Sequence, residues 1–373
     1  MRVIDGKGGQ SIDSAQRGEP RTDAHAHDPL ARLAWVRDHV LPAGGRVLVC
    51  ASGGPDSMAL LGAAALAFDA RASVAWVDHG WRAGTPDRQI VSAACAARGL
   101  AFAPLAIRRS APTETCARRA RLARLAEHAR RCGAGALLLA HHAHDDDETL
   151  LLHLRRGHLE DRARAGIPHL RRTEPGGPWL VRPFLMGPAL APATLDAWRR
   201  AHGLDAFHDP TNDDLSIPRN ALRARLRAGA FDRAALAALR RRARARLARR
   251  VGDAVALLAG AEPVGAGLGL VREALATLEV RHGDGGLAEL VRLLGLALHP
   301  ARRLDPRATV IARLRERLAT GAGRLWIPGR PRGVWLAATR TQVLLPEAGT
   351  ATRSPADAAL EALLATPLYV GGC

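Results

Sequence analysis

The stretch Ser52–Ser57, with the sequence SGGPDS, has the residue types and spacing that most clearly suggest chemistry. It follows a short apolar run at 47–51, which predicts a buried strand, and leads into an Ala- and Leu-rich run at 58–68, which predicts a helix. A glycine turn between a strand and a helix suits phosphate, because backbone N–H groups point outward and the helix dipole favours an anion. The predicted phosphate-binding residues are Ser52, Gly53, Gly54, Pro55, Asp56 and Ser57.

Asp56 is the one residue of this loop that does not suit an anion by itself. A Mg²⁺ ion that joins its carboxylate to the phosphates would explain its presence. The loop is not a Walker P-loop, which needs a lysine after its glycines, since Lys7 is the only lysine in the chain. The plainer alternative is a strand-to-helix turn in which a serine caps the helix.

A second group of polar residues lies between His141 and Glu148. Asp145 and Glu148 are three positions apart at the start of a predicted helix, so both carboxylates face one way and could hold a metal ion or an ammonium group. Two alternatives stay open. His141, His142, His144 and Asp145 could form a metal-binding set, or the stretch could be an ordinary acidic first turn of a helix.

Strands and helices alternate around these two groups. Further strands are predicted at 73–77, 101–107 and 135–140, and helices at 87–99, 113–132 and 145–155. This alternation predicts an α/β fold with an open, mostly parallel sheet and helices on both faces. In such sheets the site lies beyond the carboxyl ends of the strands, where both polar groups would fall.

Composition divides the chain into three parts. Residues 1–28 are polar and without periodicity, which predicts a disordered N-terminal tail. Residues 29–230 form the predicted catalytic domain. Residues 235–373 form a smaller, basic α+β domain, which opens with an arginine-rich helix at 234–258 followed by two helices and three short strands.

The net charge of +18 favours a nucleic-acid partner, because neutralising phosphates drives such binding. A GC-rich genome would explain arginine in place of lysine but not the excess over acidic residues. The five scattered cysteines contain no Cys-x-x-Cys pair and indicate a reducing compartment. With no apolar run of about 18 residues, the sequence predicts no membrane span and a cytoplasmic location.

The SGGPDS loop resembles the signature of the PP-loop, or N-type ATP pyrophosphatase, superfamily, whose members cleave ATP between the α- and β-phosphates. Other segments resemble one branch of it, the tRNA(Ile)-lysidine synthetases. These segments are VDHGWR at 77–82, Glu114 with Arg118 and Arg121, AHHAHDDDET at 140–149, RPFL at 182–185, DPTN at 209–212, and Arg219, Asn220 and Arg223. The resemblance covers roughly residues 45–225.

The resemblance implies a ligase that forms lysidine at the wobble cytidine of a tRNA(Ile) with a CAU anticodon. The cytosine O2 attacks the α-phosphate of ATP and pyrophosphate leaves, after which the amine of free L-lysine displaces AMP from C2. ATP, Mg²⁺ and tRNA(Ile) are thus the implied cofactors and partner. The oligomeric state, including a homodimer, is left open.

The resemblance also implies roles for single residues. The loop at 52–57 would cradle pyrophosphate, with Asp56 as the Mg²⁺ ligand. Asp145 and Glu148 would hold the lysine ammonium group. Arg121 and His141 would stabilise charge on the adenylate. The residues that would order a loop over the site are Arg219, Asn220 and Arg223.

Two positions of the segment 140–149 depart from the family pattern. His144 stands where the family has aspartate and Asp146 where it has glutamine, so metal affinity would fall if His144 faced the metal. Two rival functions remain: another PP-loop tRNA-modifying enzyme of the 2-thiolase type, which commonly relies on paired cysteines, or a catalytically degenerate tRNA-binding paralogue.

Overall fold

The computed structural model describes residues 2–3, 12–13, 27–78, 86–107, 114–174, 176–264, 267–298, 303–304, 307–320, 323–327, 329–330, 334–338 and 342–345. The described residues divide into two units, one up to Arg242 and one from Ala243 onward. Most of the tail predicted at 1–28 lies outside the described residues, which include there only residues 2–3, 12–13 and 27–28.

The first unit alternates strands and helices as the sequence predicts. Its elements in chain order are β1 (Arg2–Val3), β2 (Ile12–Asp13), α1 (Pro29–His39), β3 (Arg46–Cys50), α2 (Pro55–Phe68), β4 (Ala72–Asp78), α3 (Pro86–Ala96), β5 (Ala101–Ala106), α4 (Glu114–Arg131), β6 (Ala134–Leu138), α5 (Ala143–Arg155), α6 (Asp161–Arg164), β7 (Leu170–Arg172), β8 (Trp179–Val181), α7 (Pro192–Ala201) and α8 (Pro218–Arg227). The long helix α9 (Arg233–Ala259) begins in this unit and ends in the next.

A six-stranded sheet with the order β5-β4-β3-β6-β8-β7 forms the centre of the first unit. Every neighbouring pair is parallel except β7 with β8. The predicted α/β class with a mostly parallel sheet is therefore confirmed. The chain runs outward from β3 through β4 to β5 and then returns to β6 on the other side, so the strand order switches between β3 and β6.

Both faces of this sheet are covered by apolar side chains. Val47 and Val49 of β3 join a core that includes residues of α1, α2 and α7, whereas Leu48 joins a second core built with α4. The side chains alternate in this way because successive residues of a strand point to opposite faces. Burial on both faces explains why these strands read as continuous apolar runs in the sequence.

The region after β6 holds more structure than the sequence predicts. Residues 156–178 are rich in Arg, Gly and Pro, a composition that predicts a loop, but they contain α6 and the edge strand β7. This strand pairs with β8 from Leu170 opposite Val181 to Arg172 opposite Trp179. The guanidinium of Arg172 lies 3.9 Å from the centre of the Trp179 ring. A three-residue strand with two arginines has too little apolar pattern to be recognised alone.

The second unit combines helices with a small antiparallel sheet. Its elements are β9 (Glu262–Val264), β10 (Gly267–Val271), α10 (Arg272–His282), α11 (Asp284–Leu298), β11 (Arg303–Leu304), α12 (Ala308–Thr320), β12 (Gly323–Ile327), β13 (Gly329–Arg330), β14 (Val334–Ala338) and β15 (Gln342–Leu345). The order β12-β14-β15-β10-β9 forms the larger sheet. Leucines of α9, α10, α11 and α12 build its core. The mixed α+β character expected here is thus observed.

None of the helices in the described part of the chain is long and apolar enough to cross a membrane.

Candidate active site

The SGGPDS loop joins the carboxyl end of β3 to α2. It lies at the carboxyl ends of the parallel strands, at the position where the strand order switches. Gly53 has a φ of +82°, and a Cβ there would lie 2.8 Å from the Cβ of Asp87, so only glycine fits. The Oγ of Ser57 accepts the backbone N–H of Ser52 at 3.1 Å and donates to the carbonyl of Gly54 at 2.9 Å. The two serines therefore hold the loop in one shape.

The N-terminal turn of α2 has the features of an anion-binding helix end. Gly54 is the cap of α2 and makes no side-chain capping hydrogen bond, so the first turn keeps its backbone donors for another partner. A Cβ on Gly54 would come no closer than 3.8 Å to any atom, the nearest being the Oγ of Ser52. This geometry suits a phosphate group at the start of α2.

Neighbouring elements brace the loop from two sides. The backbone N–H of Phe207 donates to the carbonyl of Gly53 at 2.8 Å. On the other side, Asp87 at the start of α3 accepts the indole N–H of Trp76 at 3.0 Å while its Cβ lies close to Gly53. The loop backbone is thus fixed by contacts from β4, α3 and the segment after α7.

His142 connects the loop with the acidic helix α5. Its Nε2 lies 3.3 Å from a carboxylate oxygen of Asp56, and its Nδ1 lies 3.3 Å from Asp145. His142 also caps α5: its Nδ1 accepts the N–H of His144 at 3.2 Å, while Asp145 accepts the N–H of His142 at 2.9 Å. The structure therefore brings Asp56 and Asp145 to the same place, as the sequence predicted.

The pKa of His142 reflects two opposing effects. Burial lowers it, but the hydrogen bond to Asp56 and the charges of Asp145 and Asp56 outweigh burial, so the pKa is raised from 6.5. In the neutral ring, Nε2 donates to Asp56 and Nδ1 accepts from His144. The sequence alone presents His142 as a possible metal ligand and does not show this bridging role, although its position directly before an acidic helix start is a visible indication.

Asp145 and Glu148 differ in their surroundings. The carboxylate of Asp145 is 18% exposed, whereas that of Glu148 is 1% exposed and contacts two arginines of α8. Arg219 pairs with one oxygen of Glu148, and Arg223 contacts the other at 3.2 Å. The two acids lie three apart on the same helix, as expected, but only Asp145 is accessible.

Asp146 and Asp147 are buried and bind arginines of α9. Asp146 accepts the backbone N–H of Ile167 at 2.7 Å and lies 3.1 Å from Nε of Arg240. Asp147 contacts both Arg240 and Arg233, the latter at 3.0 Å. Asp146, at the position where the family has glutamine, thus fixes the backbone after α6. In the sequence Arg240 is one residue of an arginine-rich run, and its internal role has no local signal, because the ion pairs span about 90 residues.

His144, at the other unusual position, contacts Arg233. Burial and the charge of Arg233 lower the pKa of His144 to about 4, so the ring is neutral at pH 7 and accepts a hydrogen bond from the guanidinium. It is a further contact between α5 and α9. The proposed loss of metal affinity required His144 to face the metal, whereas its contact here is with Arg233.

His141 lies at the end of β6, in a cationic surrounding. Burial, followed by the charges of Arg182, Arg118 and Arg121, lowers its pKa well below 6.5. The buried Nδ1 of His141 has no hydrogen-bond partner in the described part of the chain. Burial also raises the pKa of the Cys50 thiol on β3 to about 12, which makes it a poor nucleophile.

Asn220 and Arg223 order the segment before α8. The Asn220 amide donates to the carbonyls of Thr211 at 2.8 Å and Asp214 at 3.0 Å. Arg223 donates to the side chain of Asn212 at 3.5 Å in addition to its contact with Glu148. The loop is therefore tied to α5 through α8. Of the segment VDHGWR at 77–82, His79 to Arg82 lie outside the described residues.

The residues beside the loop fit a Mg²⁺ ion that takes most of its ligands from phosphates and water. Mg²⁺ commonly uses one or two carboxylates of the protein, and the carboxylate of Asp56 is 31% exposed next to the phosphate-binding turn. Within the described ranges, no group of three or more His, Cys, Asp or Glu residues could hold a metal ion. The alternative of a metal-binding set made of His141, His142, His144 and Asp145 is therefore not supported.

The amino-acid sequence of this chain is similar to proteins of a known family. A family model described as a PP-loop domain matches residues 31–229, more than half of the chain. The tRNA(Ile)-lysidine synthase of Leifsonia xyli is 37% identical over 199 residues, which are 51% of this chain and 56% of that protein. The enzyme of the same name from Novosphingobium aromaticivorans is 34% identical over 234 residues, 58% of this chain and 62% of the relative.

A longer match extends past the PP-loop domain. The tRNA(Ile)-lysidine synthase of Ralstonia nicotianae is 33% identical over 361 residues, which are 90% of this chain and 71% of the relative. The chain therefore belongs to the PP-loop family and, within it, to the tRNA(Ile)-lysidine synthase family. Family membership implies use of ATP. The chain spans somewhat more than half of the length of the Leifsonia and Novosphingobium relatives.

Proposed function

We propose that this protein joins lysine to C2 of the wobble cytidine of a tRNA(Ile) with a CAU anticodon, using ATP and releasing pyrophosphate and AMP. The observation that carries the proposal is the placement of the SGGPDS loop beside α5, with His142 joining Asp56 and Asp145. The anion site and the accessible carboxylate lie together where the strand order of the sheet reverses. This arrangement suits a reaction between a nucleoside triphosphate and a cationic amine.

In the first step the loop binds the β- and γ-phosphates through backbone N–H groups and the hydroxyl groups of Ser52 and Ser57. The cytidine O2 attacks the α-phosphorus, and the bond to the pyrophosphate oxygen breaks. Arg121 stabilises the charge that develops on the α-phosphate, and His141, held neutral, donates a hydrogen bond to it. When bound to Asp56, Mg²⁺ would neutralise charge on the leaving pyrophosphate.

In the second step Asp145 holds the lysine, because it is the accessible carboxylate of the acidic pair. The lysine amine attacks C2, and AMP leaves with the former O2. Glu148 belongs to the same lysine site but contributes less, because Arg219 and Arg223 share its charge. Arg219, Asn220 and Arg223 order the segment that covers the reacting groups.

Asp145→Asn tests the division into two steps. Asparagine keeps an oxygen for the N–H of His142 and leaves no charge for the ammonium group. We expect the variant to form adenylated tRNA from ATP at close to the wild-type rate and to transfer lysine at least about 100-fold more slowly, as a lost buried charge contact would give. The measurement is pyrophosphate release for the first step, together with the incorporation of radiolabelled lysine into a tRNA(Ile) transcript for the second.

Two controls accompany that experiment. A transcript with a GAU anticodon has no wobble cytidine and should accept no lysine. Asp38→Asn removes an exposed carboxylate that pairs with its neighbour Arg37 and should leave both steps unchanged. If wild-type protein binds the transcript but forms neither adenylated tRNA nor lysidine, it is a catalytically degenerate tRNA-binding paralogue. If it transfers sulfur to the tRNA, it is a 2-thiolase.

A further inference from the structure

Three successive acids of α5 are buried, and the proposed reaction does not use the first two of them, Asp146 and Asp147. Asp146, Asp147 and Glu148 follow one another in the sequence and are each no more than 2% exposed. Successive residues of a helix point about 100° apart, so the three carboxylates leave α5 in three different directions. Each one contacts a different combination of groups on other elements.

Arg240 of α9 is the central cation of this network. It is 7% exposed, and its guanidinium contacts Asp146 through Nε at 3.1 Å and Asp147 through Nη1. Arg233, two turns earlier on α9, contacts Asp147 on its other oxygen and also His144. His144 and Asp147 are three positions apart and share one face of α5, so the two arginines hold the helix along its length.

The backbone after α6 closes the network on the third side. Asp146 accepts the N–H of Ile167 at 2.7 Å, and Gly166 has a φ of +75°. A Cβ on Gly166 would lie 2.2 Å from a carboxylate oxygen of Asp146, so no larger residue fits there. Together with Arg219 and Arg223 on Glu148, these contacts fix both the rotation of α5 about its axis and its position along it.

We propose that Arg240, assisted by Arg233, is a positioning residue that holds the first turn of α5 so that His142 and Asp145 face Asp56. Buried ion pairs add little to stability compared with apolar residues of the same size, so orientation is the property that they can supply here. His142 and Asp145 belong to the cap and first turn of α5, and a rotation of the helix would move both away from the loop. This inference rests on the proposed function for its kinetic test.

Arg240→Met and the double variant Asp147→Asn with Arg240→Met separate positioning from stability. The single variant leaves Asp147 without one of its partners and should lower the melting temperature. The double variant removes charge from both sides, so we expect its melting temperature to return towards wild type. For both variants we expect kcat for AMP release to fall about 10- to 100-fold, with KM for ATP nearly unchanged, since a small misplacement of reacting groups lowers the rate at this scale.

Arg240→Lys and Arg200→Met complete the series. A lysine can contact only one of the two carboxylates, so Arg240→Lys should recover part of kcat. Arg200→Met removes an arginine from an exposed ion pair with Asp196 and should change neither kcat nor melting temperature. Recovery of kcat together with melting temperature in the double variant, or a wild-type kcat in Arg240→Met, would show that Arg240 only stabilises the fold.

Hydrogen exchange provides a readout that does not need the reaction. We expect the amides at 143–147 to exchange at least about tenfold faster in both Arg240→Met variants, while amides of α2 keep their wild-type rates. If wild-type protein makes no lysidine, the proposed function is wrong, but this comparison still decides the positioning role. Unchanged exchange at 143–147 in both variants would refute it.

Discussion

At the scale of single residues, the site depends on groups whose surroundings set their protonation and reactivity. His142 bridges two carboxylates, which raises its pKa, whereas His141 and His144 are buried near arginines, which lowers theirs. Cys50 and Cys95 are likewise held as neutral thiols by burial. Adjacent histidines in one sequence motif therefore have different chemical roles.

The cysteines provide a direct check of burial. Burial raises the pKa of Cys50 to about 12 and that of Cys95 to about 11, whereas the Cys116 side chain is exposed. Since the thiolate is the reactive form, we expect iodoacetamide at pH 8 to label Cys116 in the native protein and to leave Cys50 and Cys95 unlabelled until urea is added. Peptide mass spectrometry measures each site, and fast native labelling of Cys50 would contradict its buried position.

The low pKa of His144 predicts how stability depends on pH. Its folded pKa is about 4 and its ordinary value is 6.5, so between these values the unfolded chain binds more protons than the folded one. The contribution of His144 to the free energy of unfolding should therefore fall as the pH is lowered from about 6.5 towards 4. His141 acts in the same direction, and His142, whose pKa is raised, acts in the opposite one. Urea titrations at pH 7 and pH 5 measure the difference.

The variant His144→Gln isolates this contribution. Glutamine stays neutral and can still accept a hydrogen bond from Arg233, so we expect a smaller loss of stability between pH 7 and pH 5 than in wild type. His158→Gln changes an exposed histidine that lies 3.7 Å from Glu160 and serves as the control. An equal pH dependence in wild type and His144→Gln would contradict the contact of a neutral His144 with Arg233.

At the scale of elements, the loop between β3 and α2 depends on a glycine that accepts a backbone conformation closed to other residues. Gly53→Ala would combine a φ of +82° with a Cβ 2.8 Å from that of Asp87. We expect a loss of about 1–3 kcal/mol in unfolding free energy and a strong loss of ATP binding. Denaturant titration and calorimetry with ATP measure the two effects.

Gly54→Ala is the matched control for stability. Gly54 has a φ of −72°, and the nearest atom to a Cβ there would be the Oγ of Ser52 at 3.8 Å. We expect its unfolding free energy to stay within about 0.5 kcal/mol of wild type, as for substitutions that create no strain. If the two alanine variants lose the same stability, the left-handed conformation assigned to Gly53 is wrong.

The sequence predicts the regular elements and the two polar groups well, for a physical reason. Strands buried on both faces are short apolar runs, and a glycine turn between strand and helix is local in the chain, so β3, α2 and the start of α5 can be read directly. The ion pairs of Asp147 with Arg233 and Arg240 cannot be predicted from the sequence, because they join positions about 90 residues apart. The Arg-rich strand β7 and the glycine-rich strand β10 also lack a strand pattern.

At the scale of the whole molecule, the charge of +18 is distributed between internal and external arginines. Arg240 is buried in ion pairs, whereas Arg241, Arg242 and Arg249 of the same helix are exposed. A run of arginines in the sequence therefore contains both buried and exposed side chains. The exposed set is a candidate contact for RNA phosphates, and the domain limits expected at 230 and 235 remain a proposal beside the division near Arg242.

The salt dependence of tRNA binding tests the exposed set. We expect the triple variant Arg241→Met, Arg242→Met, Arg249→Met to bind tRNA more weakly and to show a slope of log affinity against log salt smaller by up to about 3, one for each lost phosphate contact. The control Arg37→Met, Arg124→Met, Arg200→Met removes the same charge from exposed ion pairs. Equal slopes for the two triple variants would assign the effect to net charge alone.

The most direct measurement is nucleoside analysis of a tRNA(Ile) transcript with a CAU anticodon after incubation with the protein, ATP and lysine. We expect mass spectrometry to find the wobble cytidine heavier by one lysine less one water, with one AMP released for each modified base, and no modification when ATP is omitted. An unmodified wobble cytidine after incubation with folded protein that binds both ATP and the transcript would contradict the proposed reaction.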